Sequence, residues 1–426
     1  MWRGRTGVKR KNHWVLFAIL LLALINLSPS NTSVPSKSER PGELEPAQPQ
    51  TLETEQEPKQ LQVSVQLSEA EFLRLQQMNN KISEELQIDV DLKNIPYESN
   101  YASLQGELEL GEAPDILLLN NTWIRRFAAE GYLSPTESYY SGSLTGELLS
   151  ASLAPGEWNG YVWSVPMDTD SYVWVYHRTR IEELGYSLPN NGDEWMKLVS
   201  GYEQGQVSPY LFALDYSDPY AVLSLMWQLS GSGWSAEADA PVLTGKETEP
   251  TVHSLEALRP ALLNLQGMGQ NEVLAGLNEG KVGFALLRWS EARQINSNLG
   301  ILYPNLDDPA AGPMWIDGRS YVVSAQSANK EAAGQWIAGM TDQLAQRQWS
   351  EDTGHLPVLK TIYYQATRNG LPSWIPASFV NGSGTLIPAD TRLPEWIHHF
   401  SEIAAPFLSG EKDANTFLKE WSAKLN

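Results

Sequence analysis

The stretch Gly111–Leu133, GEAPDILLLNNTWIRRFAAEGYL, decides the reading of this chain. A turn-forming entry leads into a short apolar strand, a polar and aromatic tip, and then a helical segment. In open α/β sheets, ligands collect outside the carboxyl ends of the strands. This tip would display Asn120, Asn121, Thr122 and Trp123 there. The same pattern also describes an ordinary βα connection, so the segment alone establishes the architecture and not the role.

Outward from this unit the rhythm repeats. LQVSVQL from Leu61 alternates as a strand, and Ser68-Glu69-Ala70-Glu71 offers a capping box to the helix after it. Phe72, Leu75, Met78, Ile82 and Leu86 fall close to one helical face. Ile88 to Leu92 alternates again, and Ile116 to Leu119 is a continuous apolar run suited to a buried parallel strand. Tyr172 to Tyr176 is rich in β-formers, Pro219 to Leu229 is helical in pattern, and Gly283 to Leu287 is a further apolar strand. The fold class is therefore α/β. Roughly 360 folded residues exceed what one core usually supports, which predicts two lobes. No short repeat suggests a solenoid or propeller.

The chain opens with Arg3, Arg5, Lys9, Arg10 and Lys11, then an apolar run from Trp14 to Leu27 bounded by Ser28 and Pro29. That is the pattern of an export signal, residues 1–30, serving as a cleaved signal peptide or a retained membrane anchor. Residues 31–60 are rich in Pro, Glu, Gln, Ser and Thr, the composition of a solvated linker. The net charge is −21, from 51 acidic and 30 basic residues, and loss of the leader takes it to −26. Such a balance argues against a nucleic-acid partner, which needs clustered Lys and Arg. With no cysteine, disulfides, thiolate metal sites, thiol nucleophiles and a lipid-modified cysteine are all excluded, and apolar cores must hold the fold.

Enzyme signatures are absent: the sequence has no G-x-S-x-G, no H-E-x-x-H and no P-loop. Gly231 to Ala236 mimics a dinucleotide fingerprint but lacks a preceding strand. The adjacent His398 and His399 cannot share one helical face, so a helix-surface pair explains them better than a zinc site. Asp168 and Asp170 could serve glycoside hydrolysis as a carboxylate pair, although acidic residues two apart at a strand tip more often bind or solvate. No cofactor and no metal are expected.

Sixteen tryptophans are the positive signal. A pyranose has apolar C–H faces that pack on aromatic rings and a rim of hydroxyls that bond to planar polar groups. Trp123 with Asn121, Trp289 with Arg288, Trp315 with Asp317, and Tyr220 with Asp218 each combine the two chemistries. Any one of these rings could equally be a core residue.

With these residues in hand, the chain resembles the extracellular solute-binding proteins of bacterial ABC importers, the group that includes maltose- and oligosaccharide-binding proteins. The segments that carry the resemblance are Gly111–Leu133, Trp158–Gly185, Leu277–Ala292 and Tyr321–Met340, with GHLPVLK at Gly354–Lys360 in support. The resemblance implies a two-lobed periplasmic-binding-protein type II fold, with ligand in an interlobe cleft and closure by a hinge. Lobe 1 is then residues 61–167 and 299–342, and lobe 2 is residues 168–298 and 343–426. It further implies cleft contacts at Asn121, Trp123, Asp170, Asp218 and Tyr220, a stacking Trp289, and a counterpart stacking residue at Trp396. The usual glycine and proline before the Trp289 position are replaced here by Leu287 and Arg288. The expected partners are a carbohydrate and the permease subunits of an importer, with a monomeric protein at the outer face of the membrane or in the periplasm, touching the membrane only through its N-terminal segment. A sensor of the same fold and a glycosidase are the alternatives.

Overall fold

The computed structural model describes residues 60–95, 101–144, 146–183, 187–205, 209–230, 248–293, 295–303, 314–364, 375, 379–380 and 390–425. The leader, most of the linker and the Gly231–Ala236 motif lie outside these residues. The strands are β1 Gln60–Val65, β2 Asp89–Asn94, β3 Ile116–Asn120, β4 Glu157–Trp158, β5 Tyr161–Val162, β6 Val165–His177, β7 Tyr210–Leu214, β8 Leu262–Asn264, β9 Val282–Arg288, β10 Leu299–Leu302 and β11 Ile316–Val323. β4 and β5 form a small hairpin, and the others make one mixed sheet in the order β2-β1-β3-β11-β6-β9-β7-β8, with β10 also paired to β6.

The pairing divides this sheet in two. β1 runs parallel to β2 and β3, and β7 runs parallel to β8 and β9. Between these parallel sets, β11 and β6 cross antiparallel to their neighbours. β6 is long enough to serve both halves: Val165 to Ser171 pair with β11, and Tyr172 to Tyr176 pair with β9. β10, which the sequence reading assigns to lobe 1, pairs with Trp174 to His177 in the second half.

Each half carries apolar packing on both faces, which is why its strands read as unbroken apolar runs. In β3, Ile116 and Leu118 join the core of Val63, Leu75 and Trp336, while Leu117 and Leu119 face Phe127 and Leu133. In β6, Trp174 meets Trp195, Phe212 and Phe284, while Val173 and Val175 face Leu277 and Leu299. Side chains alternate between the faces, and helices cover each face.

Local chemistry fixes the helix starts beside the strand tips. Ser68 and Glu71 form the expected capping box at the Glu69–Leu86 helix. Pro219 opens the Pro219–Ser230 helix, where its missing N–H costs nothing, and the Asp218 carboxylate accepts from the Tyr220 N–H at 3.0 Å. His398 is exposed, as a helix-surface residue should be, but His399 is not: its ring stacks on Trp421 with centroids 6.2 Å apart.

Candidate ligand-binding cleft

A cavity of about 930 Å³ opens where the two halves of the sheet meet, at the upper end of the range for small-molecule sites. The carboxyl ends of parallel strands from both halves converge on it. β1 leads to Gln66, Ser68 and Glu71, β3 to Asn120 and Trp123, β7 to Asp215 and Tyr220, and β9 to Arg288, Ser290 and Glu291. The crossing strands supply the floor through Asp168, Asp170, Asp317, Gly318 and Arg319, and His355 closes one side.

Two ion networks hold that floor. In the first, Arg319 reaches both oxygens of Asp168 and donates to Glu71 at 2.9 Å. Trp349 Nε1 donates to Asp168 at 2.8 Å, and His355 Nε2 lies 2.8 Å from Glu71. Asp168 is buried; burial alone would favour its neutral form, but the Arg319 and His355 charges and the hydrogen bonds from Arg319 and Trp349 hold its carboxyl below the usual range. Glu71 is lowered likewise, with burial outweighed by His355 and Arg319. His355 is pushed up to about 9: burial and Arg319 oppose its protonation, and Asp168, Asp170 and Glu71 overcome them. It is therefore an imidazolium at neutral pH.

In the second network Arg288 donates to Asp317 at 2.7 Å and to Asp218 at 3.2 Å. Its guanidinium also lies 5.2 Å from the centroid of the Tyr172 ring. Tyr172 donates to Asp218 at 2.6 Å, and Asn120 donates to Asp317 at 2.9 Å. Above these groups the Tyr220 ring stacks on Trp315 at 4.7 Å, and its hydroxyl lies 3.3 Å from Thr122 Oγ1. Tyr220 thereby joins the β3 tip of one half to the β7 tip of the other.

The sequence profile of the bacterial extracellular solute-binding proteins matches residues 77–370. The chain belongs to that family. Among curated relatives of this solute-binding protein, the maltotriose-binding protein of Pyrococcus abyssi is 20% identical over 146 residues; the match spans 34% of this chain and only 31% of that relative. Among solved structures, the GacH receptor of Streptomyces glaucescens, determined unliganded and with acarbose, superposes with a TM-score of 0.69 at 19% identity, over 86% of this chain and 98% of that one. The sugar-binding protein MalE from Xanthomonas citri gives 0.67 at 16% identity, over 86% and 96%. The solute-binding protein thus has the two-lobed α/β fold of these neighbours.

The expected site residues fall into two groups in this solute-binding protein. Trp123, Asp168, Asp170, Tyr220, Arg288 and Asp317 line the cavity, and Asp218 stands directly behind Arg288. The other four are packed away from its wall. Asn121 is buried and accepts from Ser320 Oγ at 2.6 Å. Trp315 is buried behind Tyr220 and stacks on Trp227. Trp289 packs between apolar clusters near Ala292 and Ile316, and Trp396 is a core residue under the Arg392 guanidinium.

The carboxylates weighed as a hydrolytic pair are both engaged. Arg319 and Trp349 hold Asp168, while Ser290 donates through Oγ and its backbone N–H to Asp170. Glu71, Arg319, His355, Ser290 and Glu291 were missed by the sequence reading. Arg319 carried a usable signal, since a lone cation inside the buried run IDGRSYVV needs an acidic partner. His355 carried none, because its partners lie far from it in sequence. Among the described residues no acidic and histidine cluster could hold a metal ion, and no helix is long and apolar enough to cross a membrane.

Proposed function

We propose that this solute-binding protein captures a carbohydrate, an oligosaccharide or glycoside, in the cleft and delivers it to the permease of an ABC importer. The observation that carries the reading is the cavity itself. It combines the Tyr220 and Trp123 rings with planar carboxylate, amide and guanidinium groups at the strand tips of both halves. Such walls match the apolar faces and hydroxyl rim of a pyranose. The sugar-binding relatives support it.

On this reading the two lobes are residues 61–167 with 299–342 and residues 168–298 with 343–426, save that β10 packs into the second half and that Ala345 and Trp349 pack into the core of the first. Ligand contacts made to both lobes favour the closed form by the difference in contacts between the closed and open states. No covalent step is required of the protein, which acts as a monomer outside the cytoplasmic membrane and reaches that membrane through its N-terminal segment.

Intrinsic tryptophan fluorescence and thermal unfolding of the purified protein against mono-, di- and oligosaccharides, peptides and polyamines test the proposal. A saturable signal with a raised midpoint for a saccharide is expected; ligand at a hundredfold excess over Kd stabilises by about 2.7 kcal/mol. A response confined to peptides or polyamines would overturn the carbohydrate assignment. Loss of uptake in cells lacking the protein distinguishes delivery from sensing.

A further inference from the structure

A side pocket of about 140 Å³ opens off the cleft in its second half, sharing Asp215, Gln270, Arg288 and Glu291 with the main cavity. It lies where the carboxyl ends of β7, β8 and β9 come together, enclosed by the loops that follow them. Those loops are tied to one another. The Asn264 side-chain oxygen, at the end of β8, accepts from the Tyr216 N–H at 3.1 Å, the Leu265 N–H donates to the Leu214 carbonyl at 3.0 Å, and the Gln270 amide donates to the Glu291 carbonyl. The pocket is thereby built before any ligand arrives, and filling it costs little reorganisation.

Its inner wall is apolar. Leu265, Val273, Leu286 and Leu287 are buried around it, and Met268 is half-buried beside them. The polar groups that reach it are engaged with their own neighbours. Arg288 donates to Asp317 and Asp218, and Asp218 also accepts from the Tyr172 hydroxyl and the Tyr220 N–H. Asp215 accepts from Ser217, and Glu291 accepts from the Arg288 N–H. A pyranose pushed into this space would strand its hydroxyls against leucine, a cost that the polar cleft outside does not impose. A hydrocarbon group meets no such penalty. The size decides how large that group is: an apolar cavity of about 150 Å³ holds benzene.

We infer that the side pocket seats an apolar aglycone, so that the protein selects glycosides carrying an aryl or cyclic alkyl group of about six or seven carbons. The sugar lies in the main cleft and the hydrocarbon in the pocket, with Arg288, which lines both, at the passage between them. This rests on the carbohydrate reading and favours a glycoside over a free oligosaccharide within it.

Isothermal titration with disaccharides of several linkages, each supplied as the free sugar and, in both anomeric forms, as the methyl, phenyl and naphthyl glycoside, tests the assignment. The phenyl glycoside is expected to bind about tenfold or more tighter than its methyl counterpart, with a more negative heat-capacity change. The naphthyl glycoside is expected to lose that gain, because its second ring exceeds the pocket. Met268→Gln, which keeps the side-chain length but sets an amide in the wall, and Val273→Phe, which fills the space, are each expected to bring the phenyl-to-methyl ratio of affinities to within about threefold. A ratio taken within one variant does not depend on how much of the chain is folded. Equal binding of phenyl and methyl forms, a naphthyl form that binds tighter still, or a phenyl preference that survives both substitutions would overturn the inference and leave the carbohydrate reading standing. Failure of every sugar and glycoside would instead remove that reading, and the inference with it.

Discussion

Tyr220 and Trp289 carried the same weight in the sequence, an aromatic ring beside a polar neighbour at a strand end, yet their surroundings differ. Tyr220 faces the cavity, while Trp289 fills space between two apolar clusters. Tyr220→Ala is therefore expected to weaken saccharide binding about tenfold or more. Trp289→Ala is expected to act first on stability, lowering it by about 3 kcal/mol. Calorimetric titration together with urea unfolding of both variants separates the effects; the reverse pattern would place Trp289 in the site and Tyr220 in the scaffold. Composition cannot make this distinction, because ring type and neighbour identity are the same whether the ring faces a ligand or a core.

At the level of elements, the strands were legible and the crossings only partly so. The apolar run of Ile116 to Leu119, the alternation before Ser68 and the capping box all rest on neighbours in sequence, so local physics exposed them. The insertion of β11 between β3 and β6 rests on pairings from distant parts of the chain, which no periodicity records. Gly318 shows what the crossing demands. A Cβ there would stand 2.6 Å from Asn121 Nδ2 and 2.9 Å from the Asp168 carbonyl oxygen, so only glycine allows the β3 tip and β6 to approach β11 this closely. Gly318→Ala is expected to cost about 1 to 3 kcal/mol in chemical denaturation. Asn121→Ala in the same chain should restore part of it by removing the more yielding of the two obstacles; no recovery would assign the strain to the backbone contact alone.

For the molecule as a whole, the Glu71, Arg319, Asp168 and His355 network ties stability to pH from both sides. The His355 pKa rises on folding from an ordinary 6.5 to about 9, so its contribution is complete below about 6.5 and is lost as pH rises through 9. Glu71 and Asp168 have lowered values, so theirs is present above the normal carboxylate range and lost on acidification. The urea midpoint should therefore fall between pH 7 and pH 10, and His355→Gln should flatten that limb while leaving the acid limb in place. An alkaline limb unchanged in the variant would mean that another group sets it.

The sheet is closed by a strand that comes late in the chain: the side chain of Asn120, at the tip of β3, bonds to Asp317, nearly two hundred residues further on. Until that segment emerges, β3 keeps an unpaired edge and the cores that Tyr321, Val322 and Val323 complete stay open. For a member of an extracellular solute-binding family this is an advantage in transit, because the chain stays threadable during passage and locks only after β11 has crossed.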